Sequence, residues 1–135
     1  MEKVAVLFTS KITQGNDSEV FEKKFDAKLD IKGSQIRLHY FEDEKTPVKM
    51  LIQNKEVIIF RGDKKDSYSV IHLILNEEGK CKYVVQGHKM DLTSKTKKLY
   101  LDMKDKIIKQ LNVEYQLFNG LYLVGNYTVK LIFTY

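Results

Sequence analysis

The sequence predicts an all-β, antiparallel protein, and three observations carry that expectation. Apolar and polar residues alternate with a period of two through most of the 135 residues. At least five of the seven glycines fall between alternating segments, where a turn needs positive φ. No βαβ spacing is visible, so short strands joined by tight loops imply an antiparallel sandwich or a closed barrel. Closure is the more attractive form because it removes aggregation-prone edges.

Ten segments follow in order, making nine or ten strands. The first spans residues 3–12 and runs straight from the start of the chain into alternation. The second, 19–31, also repeats Phe21, Phe25 and Leu29 at helical spacing, but Ala27 and Ile31 would fall on the opposite side of a helix. All five share one face of a strand. Strands at 35–41 and 48–52 flank the charged 42–45 run and Pro47, the only proline, which can open a strand without breaking a ladder. Strands at 56–61, 67–75 and 81–86 follow; residues 57–60 and 70–75 are apolar on both faces, which asks for a covering helix, subunit or second sheet. Residues 89–103 and 107–117 are read as two strands around a 104–106 turn, although Leu99, Met103, Ile107 and Leu111 also form a helical stripe. The last strand spans 121–135, and with its predecessor it flanks Phe118-Asn119-Gly120-Leu121 as a closing hairpin. Parity excludes an unmodified two-residue turn at Asn119-Gly120. A three-residue loop at 118–120 pairing Leu117 with Leu121, Gly120 left-handed, keeps odd residues on one face; a bulge near Gly125 is the alternative.

Composition bounds the class. Hydrophobic residues at 43% and charged residues at 30% fit one globular domain, 1–135, with one core. No run approaches the length of a membrane span and no secretory signal is visible, so a cytoplasmic protein with no membrane partner is expected. The single cysteine, Cys81, agrees with a reducing compartment and reads as an inert thiol, since a nucleophile also needs a base. The net charge of +5 invites a nucleic-acid reading, yet only Arg37 and Arg61 among 23 basic residues are arginine, and lysine supplies charge without bidentate base reading. The lysine-rich 89–109 segment, with Lys95, Lys97, Lys98, Lys104, Lys106 and Lys109 around Tyr100, is the exception that could meet phosphate or a protein; a solvated face is the plainer explanation.

Several passages in order carry a family resemblance: Ile36-Arg37-Leu38-His39-Tyr40 with the acids after it, Lys45-Thr46-Pro47-Val48-Lys49 leading to Glu56 through Arg61, Lys82-Tyr83 through Gly87, Met90-Asp91-Leu92-Thr93-Ser94-Lys95-Thr96-Lys97, and Leu111-Asn112-Val113-Glu114-Tyr115. Together they resemble the YwiB-like family of uncharacterised bacterial proteins. The resemblance implies a roughly eight-stranded, up-and-down, lipocalin-like (calycin) β-barrel with a short interior cavity, and no assigned activity. The chain departs from the family pattern after Arg61 and at the glycine-free 104–106 turn.

No catalytic, phosphate-loop or dinucleotide motif is present, so no enzyme and no cofactor are expected. His39 and His72 lie on two different predicted strands and His88 just before a third, without metal-ligand spacing, so no metal is expected. His72 shares a face with Tyr68, Val70 and Ile74 and would meet apolar surroundings if that face were interior. Arg61 lies on the face of Val57 and Ile59, and Arg37 on that of His39 and Phe41. An inward guanidinium needs an anion, from the protein (Glu56 and Glu114 are candidates) or from a ligand. The Arg61-Gly62-Asp63 tripeptide and the sequons at Asn16 and Asn126 read as chance. The expected function is non-catalytic binding of a small apolar or anionic ligand in the barrel, with Arg61, His72, Arg37, Tyr115 and Tyr68 as candidate contacts. The alternative is an interaction or regulatory protein binding nucleic acid or a protein through 89–109, and a homodimer is compatible with either.

Overall fold

The computed structural model describes residues 2–135. Ten strands form a closed barrel: β1 (Glu2–Gln14), β2 (Asp17–Lys32), β3 (Gln35–Glu42), β4 (Thr46–Gln53), β5 (Glu56–Lys64), β6 (Ser67–Ile74), β7 (Glu78–Val85), β8 (His88–Lys104), β9 (Ile107–Asn119) and β10 (Tyr122–Thr134). Each pairs antiparallel with its chain neighbours, and β10 closes on β1 from Ala5↔Thr134 to Thr13↔Asn126. The all-β, antiparallel barrel is as expected. The strand number is ten where the resemblance implied eight, because all ten alternating segments enter one sheet.

The 98–111 ambiguity resolves to strands. Asp105 and Lys106 adopt φ of 53° and 65°, forming a two-residue left-handed turn without glycine. The closing hairpin departs from the three-residue loop. Asn119 pairs with Tyr122 around a Gly120-Leu121 turn, and the register shifts between Leu123 and Gly125, so Gly125 faces Leu117. Gly120 is left-handed at φ 61°, which suits glycine at the first central position of a two-residue turn. The parity conflict is absorbed by the bulge, the alternative site. Leu121 sits fully exposed at the tip rather than beside Leu117.

Alternating strands put five of the nine loops at one end and four, with the start of β1 and the end of β10, at the other. The end carrying both termini is filled by apolar side chains: Val4, Val6, Ile36, Leu38, Ile52, Leu73, Ile108, Leu111 and Leu131 are 0–2% exposed. Burying a side chain of this size stabilises by about 1.5–3 kcal/mol, so this half is a packed core rather than a vessel. At β6 the wall tightens further. β6 pairs with β7 only from Ser67↔Val85 to Val70↔Lys82, and its end then crosses to β8, where Leu75 bridges Thr96. The fully buried Ser94 Oγ donates to the His72 carbonyl at 2.6 Å. A Cβ on Gly79 would lie 2.0 Å from that carbonyl oxygen, so only glycine permits the crossing.

The doubly apolar stretches also resolve. Val57 and Ile59 of β5 and Ile71 and Leu73 of β6 join the core, while Ile58, Phe60, Val70 and Ile74 lie on the outer face. No helix covers them among the described residues.

Candidate functional site

At the far end the interior changes character. One row of cross-strand partners runs Tyr40↔Val48↔Arg61↔Ser69↔Tyr83 across β3 to β7. Arg61 is there because it shares parity with Val57 and Ile59, as the sequence implied. Its anion is Glu42, not Glu56 or Glu114: Arg61 Nε donates to Glu42 Oε1 at 2.9 Å and Nη2 lies 2.8 Å from the same oxygen. Glu42 takes that place because Ile36, Leu38 and Tyr40 set the inward parity of β3. Burial pulls the Arg61 guanidinium down, but the adjacent Glu42 carboxylate holds it above its ordinary value. Glu56 and Glu114 lie on the outer face.

Tyrosines surround this pair. Tyr115 and Tyr127 stack at 5.0 Å and 9°. Burial pushes the Tyr40 hydroxyl up to about 12, with Arg61 opposing. Burial likewise raises Tyr83 and Tyr115, and Tyr127 to a lesser depth beside Gln14. All four stay neutral at physiological pH and present hydroxyl donors rather than charge.

Beside this row the wall splits. β2 and β3 pair only from Lys28↔His39 to Lys32↔Gln35, although β2 continues against β1 up to Asp17. The free lengths diverge, and aromatic rings occupy the gap. Phe25 stacks on Tyr40 at 4.0 Å, and Phe8 meets Phe21 at 6.4 Å and Phe25 at 6.5 Å. Lys23 Nζ and Asp43 Oδ1 form an ion pair spanning the split. An open cleft of about 1180 Å³ enters from outside, with Phe25, Ala27, Tyr40, Phe41, Val48 and Phe60 among its walls. A smaller cavity of about 100 Å³ lies among Phe8, Phe21, Phe25, Tyr40 and Phe41, with Glu42 and the Lys23–Asp43 pair at its border. The arrangement offers an apolar, aromatic slot with neutral hydroxyls behind it.

The other sequence-derived candidates fall elsewhere. Tyr115 is inward and buried, stacked behind the slot. Arg37 points outward, because Ile36 and Leu38 take the core side, and its Nε donates to Gln35 Oε1 at 3.0 Å. His72 and Tyr68 are also outward, since Ser69, Ile71 and Leu73 take the interior of β6. His72 Nε2 lies 3.1 Å from Glu56 Oε1 without hydrogen-bond alignment. Cys81 is buried and its thiol pKa is raised by that burial. In the lysine-rich segment, Lys95 lies 3.8 Å from Glu78 and Lys98 is paired with Glu114 across the ladder. Among the described residues no group of three or more His, Cys, Asp or Glu could hold a metal, and no helix is long and apolar enough to cross a membrane.

The residues missed from sequence are Phe8, Phe25, Tyr40, Glu42 and the Lys23–Asp43 pair. Phe25 and Tyr40 alternate like any core residues, and only the early end of the β2–β3 ladder sets them apart.

Comparison with known proteins agrees with this fold. A solved structure described as the crystal structure of ywiB protein from Bacillus subtilis superposes with a TM-score of 0.77, covering 98% of this chain and 92% of that one at 16% identity. No curated protein matches the chain. A family model described as a domain of unknown function, DUF1934, matches residues 6–131. With that match over nearly its whole length, and the barrel it shares with ywiB, the chain belongs to the DUF1934, YwiB-like family.

Proposed function

We propose that this protein binds a small, largely apolar ligand in the cleft between β2 and β3 without transforming it. The observation that carries the reading is the early end of the β2–β3 ladder, which leaves the Phe25–Tyr40 stack at the wall of an open cleft. Folding alone would favour continuing the ladder and packing those rings inside, since a split leaves backbone groups to water and aromatic surface unburied. Clefts lined by aromatic residues with a few fixed polar groups are where small molecules bind.

The charge balance favours a neutral body for the part of the ligand inside the slot. Arg61 is already neutralised by Glu42, so an anion there would have to displace a carboxylate held by two contacts at 2.9 and 2.8 Å. The kind of function is lipocalin-like, with the ligand held in a side split of the wall rather than along the barrel axis. A buried, unpaired Cys81 suits the reducing cytoplasm in which we place the protein. The nucleic-acid alternative through 89–109 is the weaker reading, because Lys95 and Lys98 face acids.

A neutral solvatochromic dye such as Nile red tests the proposal. Its emission rises and shifts blue on the native protein and returns towards the aqueous value in the Phe21→Ser/Phe41→Ser double variant. These rings are 50% and 63% exposed, so their loss leaves the fold intact. Equal dye response in both proteins would overturn the reading.

A further inference from the structure

The outer face at the cleft carries a row of basic side chains. Following the ladders strand by strand, Lys3 of β1 pairs with Lys28 of β2, Lys28 with His39 of β3, His39 with Lys49 of β4, and Lys49 with Phe60 of β5. All five positions lie on the outer face, because Val4, Ala27, Leu29, Leu38, Tyr40, Val48 and Met50 beside them point inward. Lys3 and Lys28 stand directly opposite as a like-charge pair, which costs the sheet stability, and His39 separates Lys28 from Lys49. Lys3 has Asp26 at 3.6 Å, both side chains largely exposed; no carboxylate lies within 4.0 Å of Lys28 or Lys49 among the described residues. The His39 imidazole is held below its ordinary value by burial and then by Lys49 and Arg37, with Asp30 opposing. The neighbouring outer positions add Lys24, Arg37, Asp26 and Asp30, and Asp43, Glu44 and Asp63 line the same cleft, Asp43 in an ion pair with Lys23.

We propose that the Lys3–Lys28–His39–Lys49 row binds the phosphates of a nucleoside polyphosphate, with Phe60 at its end stacking the base. Strands lie about 4.8 Å apart, so the row extends about 14 Å. A carboxylate or a single phosphate reaches two neighbouring strands at most. Engaging the whole row takes several anionic groups in a line, which a polyphosphate supplies. Lysine is a flexible point-charge donor suited to phosphate, and neutral or protonated imidazole donates N–H to it. Phe60 stands directly across from Lys49 and is 36% exposed, and an aromatic face accepts any base by stacking. Lys3, Lys28, His39, Lys49 and Phe60 all line the 1180 Å³ cleft. Phosphate binding at the row does not require a neutral ligand against the Phe25–Tyr40 stack.

Calorimetric titration at 50 mM salt with ATP, tripolyphosphate and adenosine reads the row directly. ATP binds more tightly than tripolyphosphate, and adenosine more weakly than either. Lys28→Gln/Lys49→Gln weakens ATP and tripolyphosphate by about tenfold or more. Phe60→Ala weakens ATP towards tripolyphosphate and leaves tripolyphosphate unchanged. Lys97→Gln/Lys98→Gln, on the far side of the barrel, leaves all three unchanged. Absence of tripolyphosphate binding, or equal loss in the Lys97/Lys98 control, overturns the site; ATP and tripolyphosphate binding equally overturns the role of Phe60. Failure of the row is read from tripolyphosphate binding, and failure of the slot from the Nile red comparison of the native protein with Phe21→Ser/Phe41→Ser, so the two are told apart.

Discussion

Replacing Glu42 by leucine leaves Arg61 facing the barrel interior without its anion. Two contacts to one carboxylate oxygen, at 2.9 and 2.8 Å, are lost together. Charge-assisted hydrogen bonds contribute about 1.5–3 kcal/mol. The side chains are 34% and 32% exposed, so water compensates part of the loss and the expected cost is about 1–2 kcal/mol. For a chain of this length that is a fall in Tm of about 3–10 °C. Arg61→Met alone costs a similar amount by stranding Glu42. The Glu42→Leu/Arg61→Met double variant recovers most of the loss, because removing both charges leaves nothing to desolvate unpaired. Urea unfolding followed by circular dichroism gives the four stabilities of the cycle and a coupling energy of about 1 kcal/mol or more. Single losses that add in the double variant to within about 0.5 kcal/mol would show that the pair is an incidental surface contact, and the neutral-slot argument would go with it.

Alkaline titration tests the buried hydroxyls. Tyr40 has its folded pKa raised from 10.0 to about 12, so its contribution is complete below pH 10 and is lost as pH rises through 12, because the unfolded chain ionises first. That window is worth about 2–3 kcal/mol, and stability of the Tyr40→Phe variant should fall less steeply across it; an unchanged slope counts against burial of that hydroxyl. Gly79→Ala puts a Cβ 2.0 Å from the His72 carbonyl oxygen and should destabilise by about 3 kcal/mol, measured by the same urea unfolding, whereas a neutral result would mean that β6 does not cross there. Gly120→Ala meets nothing within 4 Å, yet its φ of 61° should cost about 1 kcal/mol, and Gly120→Asn should cost less; equal losses would argue against the left-handed turn.

How much of this could be read from the residues differs by feature. Period-two alternation placed all ten strands, since each half-buried strand must present one apolar face. It failed at β6, where Tyr68, Val70, His72 and Ile74 are as apolar as Ser69, Ile71 and Leu73, so alternation could not say which side was interior. Glu42 and Arg61 meet across three strands, and no local pattern links positions nineteen apart. The basic row was legible in principle. Two-residue turns at 15–16 and 33–34 and a three-residue turn at 43–45 fix the pairing of Lys3 with Lys28, Lys28 with His39, and His39 with Lys49 by counting outward. The split between β2 and β3 was not legible, because both strands continue past the last ladder pair with unbroken alternation.

The central claim is that the split holds a small molecule. Native mass spectrometry of the protein purified from its own host, beside the Phe21→Ser/Phe41→Ser variant prepared identically, tests it most directly. A small-molecule adduct on the native chain that is absent from the variant is the expected result. A bare mass for both proteins, or an adduct retained equally by both, would contradict the account.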